Sequence, residues 1–477
     1  LPVGPPFANF HTNQTRSMKI FKRSLLTLLL IVIVYAGQYA WRALPILSGY
    51  GAKDICSCVF VTGRHPKDVI DNELNSVPLK YGTFEVNLKD STATGSVFGL
   101  ARKTAVYRKG LGCTLVAEMS EDELRRQKIK LYPLQKLNTD TIPWPQGDKL
   151  PDSINSKIDK AKLQAAIDNV FTETDTVKTK QRRTRAVVVL YDGSLIGEKY
   201  APGFDKNSKH IGWSMTKSIT NALIGILVMQ GKLKLEEPAP VESWKNDDRK
   251  NITLADLMHM SSGLKWEENY GGPSGATNML FKKKDMGLYA AESPLESKPG
   301  EVFEYSSGTS NIISRIVREK VGDESYYQFP YAELFNKIGM NSIVMEPDAG
   351  GTFVGSSYSF ATARDFARFG LLFYNDGIWN GERILPEGWV KFSFTPPFSA
   401  KRGQYGAQWW ANAGEKGNPA NRPYPDIPVD GYLAEGFEGQ SIFIVPSKKL
   451  VVVRLGLTKT DFDLNKFIAE IIESLPQ

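Results

Sequence analysis

Between Ser24 and Trp41 the chain carries no charged residue, and Leu25, Leu26, Leu28 to Leu30 and Ile31 to Val34 make the run almost continuously apolar. As a helix rising 1.5 Å per residue, roughly 18 residues span about 27 Å, enough for a bilayer core. Lys19, Lys22 and Arg23 precede the run and Arg42 follows it. Positive charge on the leading side keeps that end in the cytoplasm and sends the rest across, to a periplasmic or extracellular location. Gly37-Gln38-Tyr39-Ala40 makes a poor small-residue cleavage site, so residues 18–42 read as an uncleaved single-pass signal anchor that meets the membrane through residues 24–41. Residues 1–17 are polar, with Pro and Asn and no apolar period, and are expected to be a disordered or untranslated leader.

The rest of the chain is long enough for large cores, with 477 residues in all, 42% of them apolar. Fifty-nine basic against 52 acidic side chains give a net charge of +7, but the excess gathers at the membrane flank and in Lys178, Lys180, Arg182, Arg183 and Arg185. A membrane flank and a solvated linker account for both runs, so no nucleic-acid partner is expected. Cys56, Cys58 and Cys113 are the only cysteines. They suggest neither a metal site nor a thiol nucleophile; in an exported body Cys56 or Cys58 could pair with Cys113, the alternative being three reduced thiols.

Residues 52–148 read as a β-rich region. Val59-Phe60-Val61 and Phe84 to Leu88 have strand composition, Gly95 to Tyr107 supplies one or two strands more, and Cys113 to Val116 another. A larger unit, 154–477, opens with a helix near Ile154 to Phe171, then a strand Ala186 to Tyr191 turned by Asp192-Gly193 into Leu195 to Tyr200. Residues of about 213–377 form a mainly helical insertion, with helices at Leu254 to Met260, Asn311 to Val321, and from Thr362 to Gly377. A short helix from Pro386 to Phe392, a hairpin of Ser441 to Val445 and Leu450 to Leu455, and a helix Leu464 to Leu475 complete it. The fold class is therefore α+β: an antiparallel sheet flanked by helices with a helical insertion, preceded by the β-rich region and one transmembrane helix.

Within that insertion, Ile211-Gly212-Trp213-Ser214-Met215-Thr216-Lys217 places a serine three residues before a lysine at the start of an apolar helix that stops at Gly231. Residues three apart share a helix face, so the Lys217 amine reaches the Ser214 hydroxyl, and free N–H groups at the helix start favour an oxyanion. That pattern suits an activated nucleophile. A second copy, Ser262-Gly263-Leu264-Lys265, lies in a turn and lacks the apolar helix. Of the four histidines only His210 and His259 could serve a Ser-His-Asp triad; His210 precedes the helix by four residues and His259 reads as a core or capping residue, which favours a lysine base.

Ser214-x-x-Lys217, then Tyr305-Ser306-Ser307, then a glycine-containing strand at Gly436 to Gln440 occur in the order found in the serine β-lactamase and penicillin-binding-protein superfamily. The chain most resembles its class C-like branch, which contains 6-aminohexanoate-dimer hydrolase and related esterases. The resemblance implies a serine hydrolase, an amidase or esterase with no cofactor and no metal, acting on a small-molecule amide or ester. Ser214 would be the nucleophile, Lys217 the base and Tyr305 the general acid/base; the backbone N–H groups of Ser214 and Phe437 would bind the oxyanion. Tyr270, Ser307 and Gly436 would contact substrate, Tyr270 from a loop continued by Gly271 to Gly275. Where β-lactamases carry Lys-Thr-Gly, this chain has Ala434-Glu435-Gly436, so little penicillin turnover is expected. The competing expectation is a non-catalytic, membrane-anchored binding protein on the same scaffold.

Overall fold

In the computed structural model the described residues are 10–477, except 133–137, 152, 154, 461 and 477. An uninterrupted helix, Phe10–Phe60, carries the apolar run and continues well past it. Its first part stands free, with Leu26, Leu30 and Val34 at least 62% exposed, while Ile46, Ala52, Ile55 and Cys56 are buried in the body. Two expectations change here. Residues 10–17 belong to this helix instead of an irregular leader, with 1–9 lying outside the described residues. Val59 and Phe60 close the helix and Val61 lies in the turn after it; Phe60 stacks on Tyr107 at 5.1 Å. Packing on the sheet below overrides their strand preference.

That sheet has four antiparallel strands in sequential order, Gly82–Asn87, Thr92–Val97, Leu100–Arg108 and Gly112–Leu115. It wraps the second half of the long helix, and a Cys56–Cys113 disulfide ties the two together, leaving Cys58 free and buried. The layer is fastened to the larger unit by buried polar contacts. Glu346 accepts hydrogen bonds from Lys53, from Ser57 Oγ at 3.0 Å and from Cys113 N at 2.6 Å. The basic run also differs from the solvated linker expected of it: Arg183 Nη2 donates to Asn72 Oδ1 at 2.6 Å and Arg185 Nη2 to Glu73 Oε1 at 2.5 Å.

The larger unit is built on six antiparallel strands in the spatial order Trp410–Ala411, Tyr432–Gly436, Gln440–Val445, Leu450–Gly456, Thr184–Tyr191 and Ser194–Tyr200. Alternation along the central strands splits their side chains between two cores. Val187, Val189, Phe443 and Val452 face the helices Lys160–Phe171 and Leu464–Glu473, whose Ile167, Phe467 and Ile471 complete one core. Val188, Leu190, Ile442 and Val451 face the other way, toward the helix Ala363–Tyr374, capped by Thr362 accepting from Asp365 N at 3.2 Å. The regular elements between the two parts of the sheet are mainly helices, the longest being Thr216–Met229 and Ser307–Val321. The second begins four residues before the expected Asn311, because Ser306 caps it by accepting from Thr309 N at 2.9 Å.

Candidate active site

The short strand Lys209–Ile211 brings the chain to Gly212, where it turns sharply. Trp213 takes φ +45°, in the left-handed region, at a cost of order 1–3 kcal/mol for a bulky residue. Aromatic packing holds it there. Its ring stacks on Tyr50 of the long helix (6.2 Å, 16° between planes), meets Phe437 edge-on at 5.8 Å and lies 6.2 Å from Tyr358. A 3-10 turn, Trp213–Met215, leads directly into the helix Thr216–Met229, so Ser214 stands at the helix entrance.

Lys217, 1% exposed, points its amine back at that entrance. Nζ donates to Ser214 Oγ at 2.9 Å, Ser307 Oγ at 3.0 Å and the Ser356 carbonyl at 3.0 Å. Burial lowers its pKa from 10.5 to about 8, with the Glu268 carboxylate opposing the shift. Asn311 fixes the third acceptor, donating through Nδ2 to Ser356 Oγ at 3.1 Å.

Tyr305 sits just before the helix Ser307–Val321, half-buried, with its ring centroid 4.8 Å from Lys217 Nζ. It stacks on Trp410 at 5.3 Å and meets Tyr405 edge-on at 5.8 Å. Burial pushes the phenol well above its usual value, and the Ser214 hydroxyl works against that rise. The end of the strand Tyr432–Gly436 closes the site from the other side. At Gly436 an added Cβ would lie 2.2 Å from the Gly212 carbonyl, so only glycine lets this strand approach the turn that carries Ser214. Phe437 follows, 57% exposed, and Glu438 turns the chain away with φ +64°.

Sequence reasoning missed Glu268, which joins these pieces. Its carboxylate accepts from Ser307 N at 2.9 Å, Ser307 Oγ at 2.5 Å, Trp266 Nε1 at 2.5 Å and Tyr270 Oη at 2.7 Å. Ser307 Oγ thus lies between Lys217 and Glu268, and Tyr270 Oη is 3.2 Å from it. Tyr270, 53% exposed, stands at the mouth of the site with its hydroxyl turned inward. One signal was readable: a Trp-x-Glu-x-Tyr run ahead of the glycine-rich loop gives an acid two flanking donors.

Other candidates fall outside the cluster. In the second Ser-x-x-Lys copy, Lys265 pairs with Glu296 at 2.6 Å, and Ser262 Oγ accepts from Leu264 N at 3.3 Å within its own turn. His259 ends the helix Leu254–Met258, with Nδ1 3.1 Å from the Gly406 carbonyl. His210 is buried on the strand Lys209–Ile211 and packs on Phe204 at 5.3 Å; burial beside Arg185 and Arg64 lowers its pKa to about 3. Among the described residues no group of three or more His, Cys, Asp or Glu side chains is arranged to hold a metal ion. At the position of the β-lactamase Lys-Thr-Gly, Ala434 is buried and Glu435 exposed on the strand.

A family profile described as Beta-lactamase matches residues 167–466, well over half of the chain. The chain is 22% identical over 346 residues to 6-aminohexanoate-dimer hydrolase of Paenarthrobacter ureafaciens, a match covering 65% of this chain and 83% of that one. A solved structure from Bacillus anthracis named for the same activity superposes with a TM-score of 0.54 at 23% identity, covering 70% of this chain and 90% of the other. A β-lactamase-like structure from Bacteroides dorei gives a TM-score of 0.52 at 17% identity, covering 66% and 99%. With the sheet, the helical insertion and the profile match in agreement, this chain belongs to the β-lactamase family.

Proposed function

We propose that the protein is a membrane-anchored serine hydrolase that cleaves a linear amide or ester through an acyl-enzyme on Ser214. The observation that carries this reading is the 2.9 Å contact between Lys217 Nζ and Ser214 Oγ, made by an amine whose pKa is lowered to about 8. At pH 7 about one such amine in ten is neutral and able to accept a proton.

In the proposed cycle Lys217 takes the Ser214 proton as Oγ bonds to the acyl carbon. The carbonyl oxygen, now an oxyanion, is held by the backbone N–H groups of Ser214 and Phe437. Tyr305, which burial keeps protonated, gives its proton to the leaving nitrogen or oxygen as the acyl bond breaks, and recovers it from the Lys217 ammonium. Water repeats the sequence on the ester, releasing the acid and restoring Ser214. Tyr270 and Ser307 border the entry, and Gly436 offers backbone to the substrate. Glu435 beside it disfavours a substrate carboxylate, which supports a linear substrate over a penicillin. The 6-aminohexanoate-dimer hydrolase relative supports amide cleavage.

The anchor reading is supported by the helix Met18–Phe60, which is long and apolar enough to cross a membrane and whose apolar window is uncovered. We place its leading end in the cytoplasm and the catalytic unit outside. The test is intact mass after exposure to a fluorophosphonate. One adduct on the unmodified chain and none on Ser214→Ala is expected; labelling that survives the substitution, or no labelling, would refute the catalytic reading.

A further inference from the structure

The helix Phe10–Phe60 runs on through Pro45, so apart from the bend that a proline introduces, position along it measures height above the active site. Tyr50 lies against Trp213, the residue before Ser214. Trp41, the last residue of the uncharged run, stands roughly 14 Å further along the axis at 1.5 Å per residue. The mouth of the site reaches that level. In the loop after Tyr270, a Cβ at Gly272 would lie 3.0 Å from Tyr39 Oη, and Lys282 Nζ donates to the Arg42 carbonyl at 2.6 Å.

The hairpin of Thr92–Val97 and Leu100–Arg108 climbs the same helix. Its lower end is fixed where Tyr107 stacks on Phe60, and midway Gly95 presses on Ser48, whose carbonyl would lie 2.4 Å from an added Cβ. Phe98, three residues beyond Gly95, is about 10 Å higher at strand rise, or about seven helical residues, which is level with Trp41. The hairpin tip and the helix are both uncovered there: Phe98 is 74%, Leu100 60%, Trp41 83% and Tyr35 71% exposed. A cationic group completes this level. Arg42 follows Trp41, Lys282 Nζ is held against the Arg42 carbonyl, and Lys103 lies on the hairpin opposite Gly95.

We propose that the catalytic unit is seated on an anionic bilayer by the hairpin tip Phe98–Leu100 and the cations Arg42, Lys103 and Lys282, so that its mouth opens at headgroup height and its substrate is an amphiphilic long-chain amide or ester taken from the lipid layer. Aromatic and apolar side chains at the anchor's outer end, followed by cations, match the order of layers from hydrocarbon to phosphate. Exposed Tyr270 and Phe437 rim the mouth with apolar surface that a chain emerging from lipid would cover. The substrate class rests on the hydrolase reading above, whereas the seat does not.

The test uses the full chain reconstituted in vesicles of phosphatidylcholine with phosphatidylglycerol. A fluorophore on Phe98→Cys should be quenched about twofold or more by a lipid carrying a nitroxide near its headgroup, and much less by a soluble nitroxide. A label quenched only from water would overturn the seat. With 4-nitrophenyl palmitate in the vesicles and 4-nitrophenyl butyrate in solution, Phe98→Ser with Leu100→Ser should lower palmitate turnover about tenfold and leave butyrate turnover unchanged. Equal loss on both esters, or on neither, would overturn the substrate class. Absence of Ser214-dependent butyrate turnover in the unmodified chain would defeat the hydrolase reading, and with it the substrate class, while quenching would still decide the seat.

Discussion

Glu268→Gln tests the electrostatics of the proposed site with little change of shape. The carboxylate accepts from two N–H groups through one oxygen and from two hydroxyls through the other. A glutamine keeps this arrangement by offering its carbonyl to Ser307 N and Trp266 Nε1 and its amide to the two hydroxyls, which can accept. The charge is what disappears. Through Ser307 Oγ the Lys217 ammonium and the carboxylate are linked by contacts of 3.0 and 2.5 Å. Two unit charges roughly 5.5 Å apart interact by about 3 kcal/mol at an effective dielectric of 20, or about two pH units before screening by solvent. Glu268 is partly exposed, so screening reduces this to about one unit. The carboxylate raises the Lys217 pKa, so its removal lowers that pKa further below about 8. A base must be neutral, so activity rises with pH through this value, and in the variant the acid limb of kcat/KM should move about one unit toward lower pH. The assay is a pH series on a short ester, with Ser214→Ala as blank. An unmoved limb, or one displaced to higher pH, would refute the link between Glu268 and Lys217.

Nitrocefin turnover should be slower than that of a short linear ester by about 100-fold or more, since no cation replaces the missing Lys of Lys-Thr-Gly; comparable rates would contradict the reading of Ala434-Glu435-Gly436. Glu346→Gln leaves the buried Lys53 without its counter-charge and should cost about 3–5 kcal/mol in urea unfolding, much of it restored by adding Lys53→Met, since the glutamine oxygen still accepts from Cys113 N. Glu438, buried in the turn after Gly436, is pushed by burial from 4.5 to about 7. The folded form therefore binds the proton more tightly than the unfolded chain, and this group's stabilisation is lost as pH rises from about 4 to about 7. Glu438→Gln should flatten that decline in an unfolding series across the same window.

Local spacing was enough to place Ser214 and Lys217 together, because three residues on a helix fix their direction whatever surrounds them. Short continuous apolar runs bounded by turn residues likewise marked the central strands, and the uncharged run marked the long helix. The tertiary structure decided what depends on partners remote in sequence. Cys56 and Cys58, two positions apart on a helix, point to different sides, and only packing selects Cys56 for Cys113 while Cys58 is buried near Asp54. Val59 and Phe60 have strand composition, yet they continue a helix already formed and pack on the sheet that Cys113 belongs to. Glu268 lies in an irregular segment with no period, and its role exists only because folding brings Ser307, 39 residues on, against it. Sequence alone thus determined which groups are held along one element, where covalent geometry sets direction. The fold determined which elements share a pocket, because that choice is made by burial and hydrogen bonding between surfaces that no local pattern encodes.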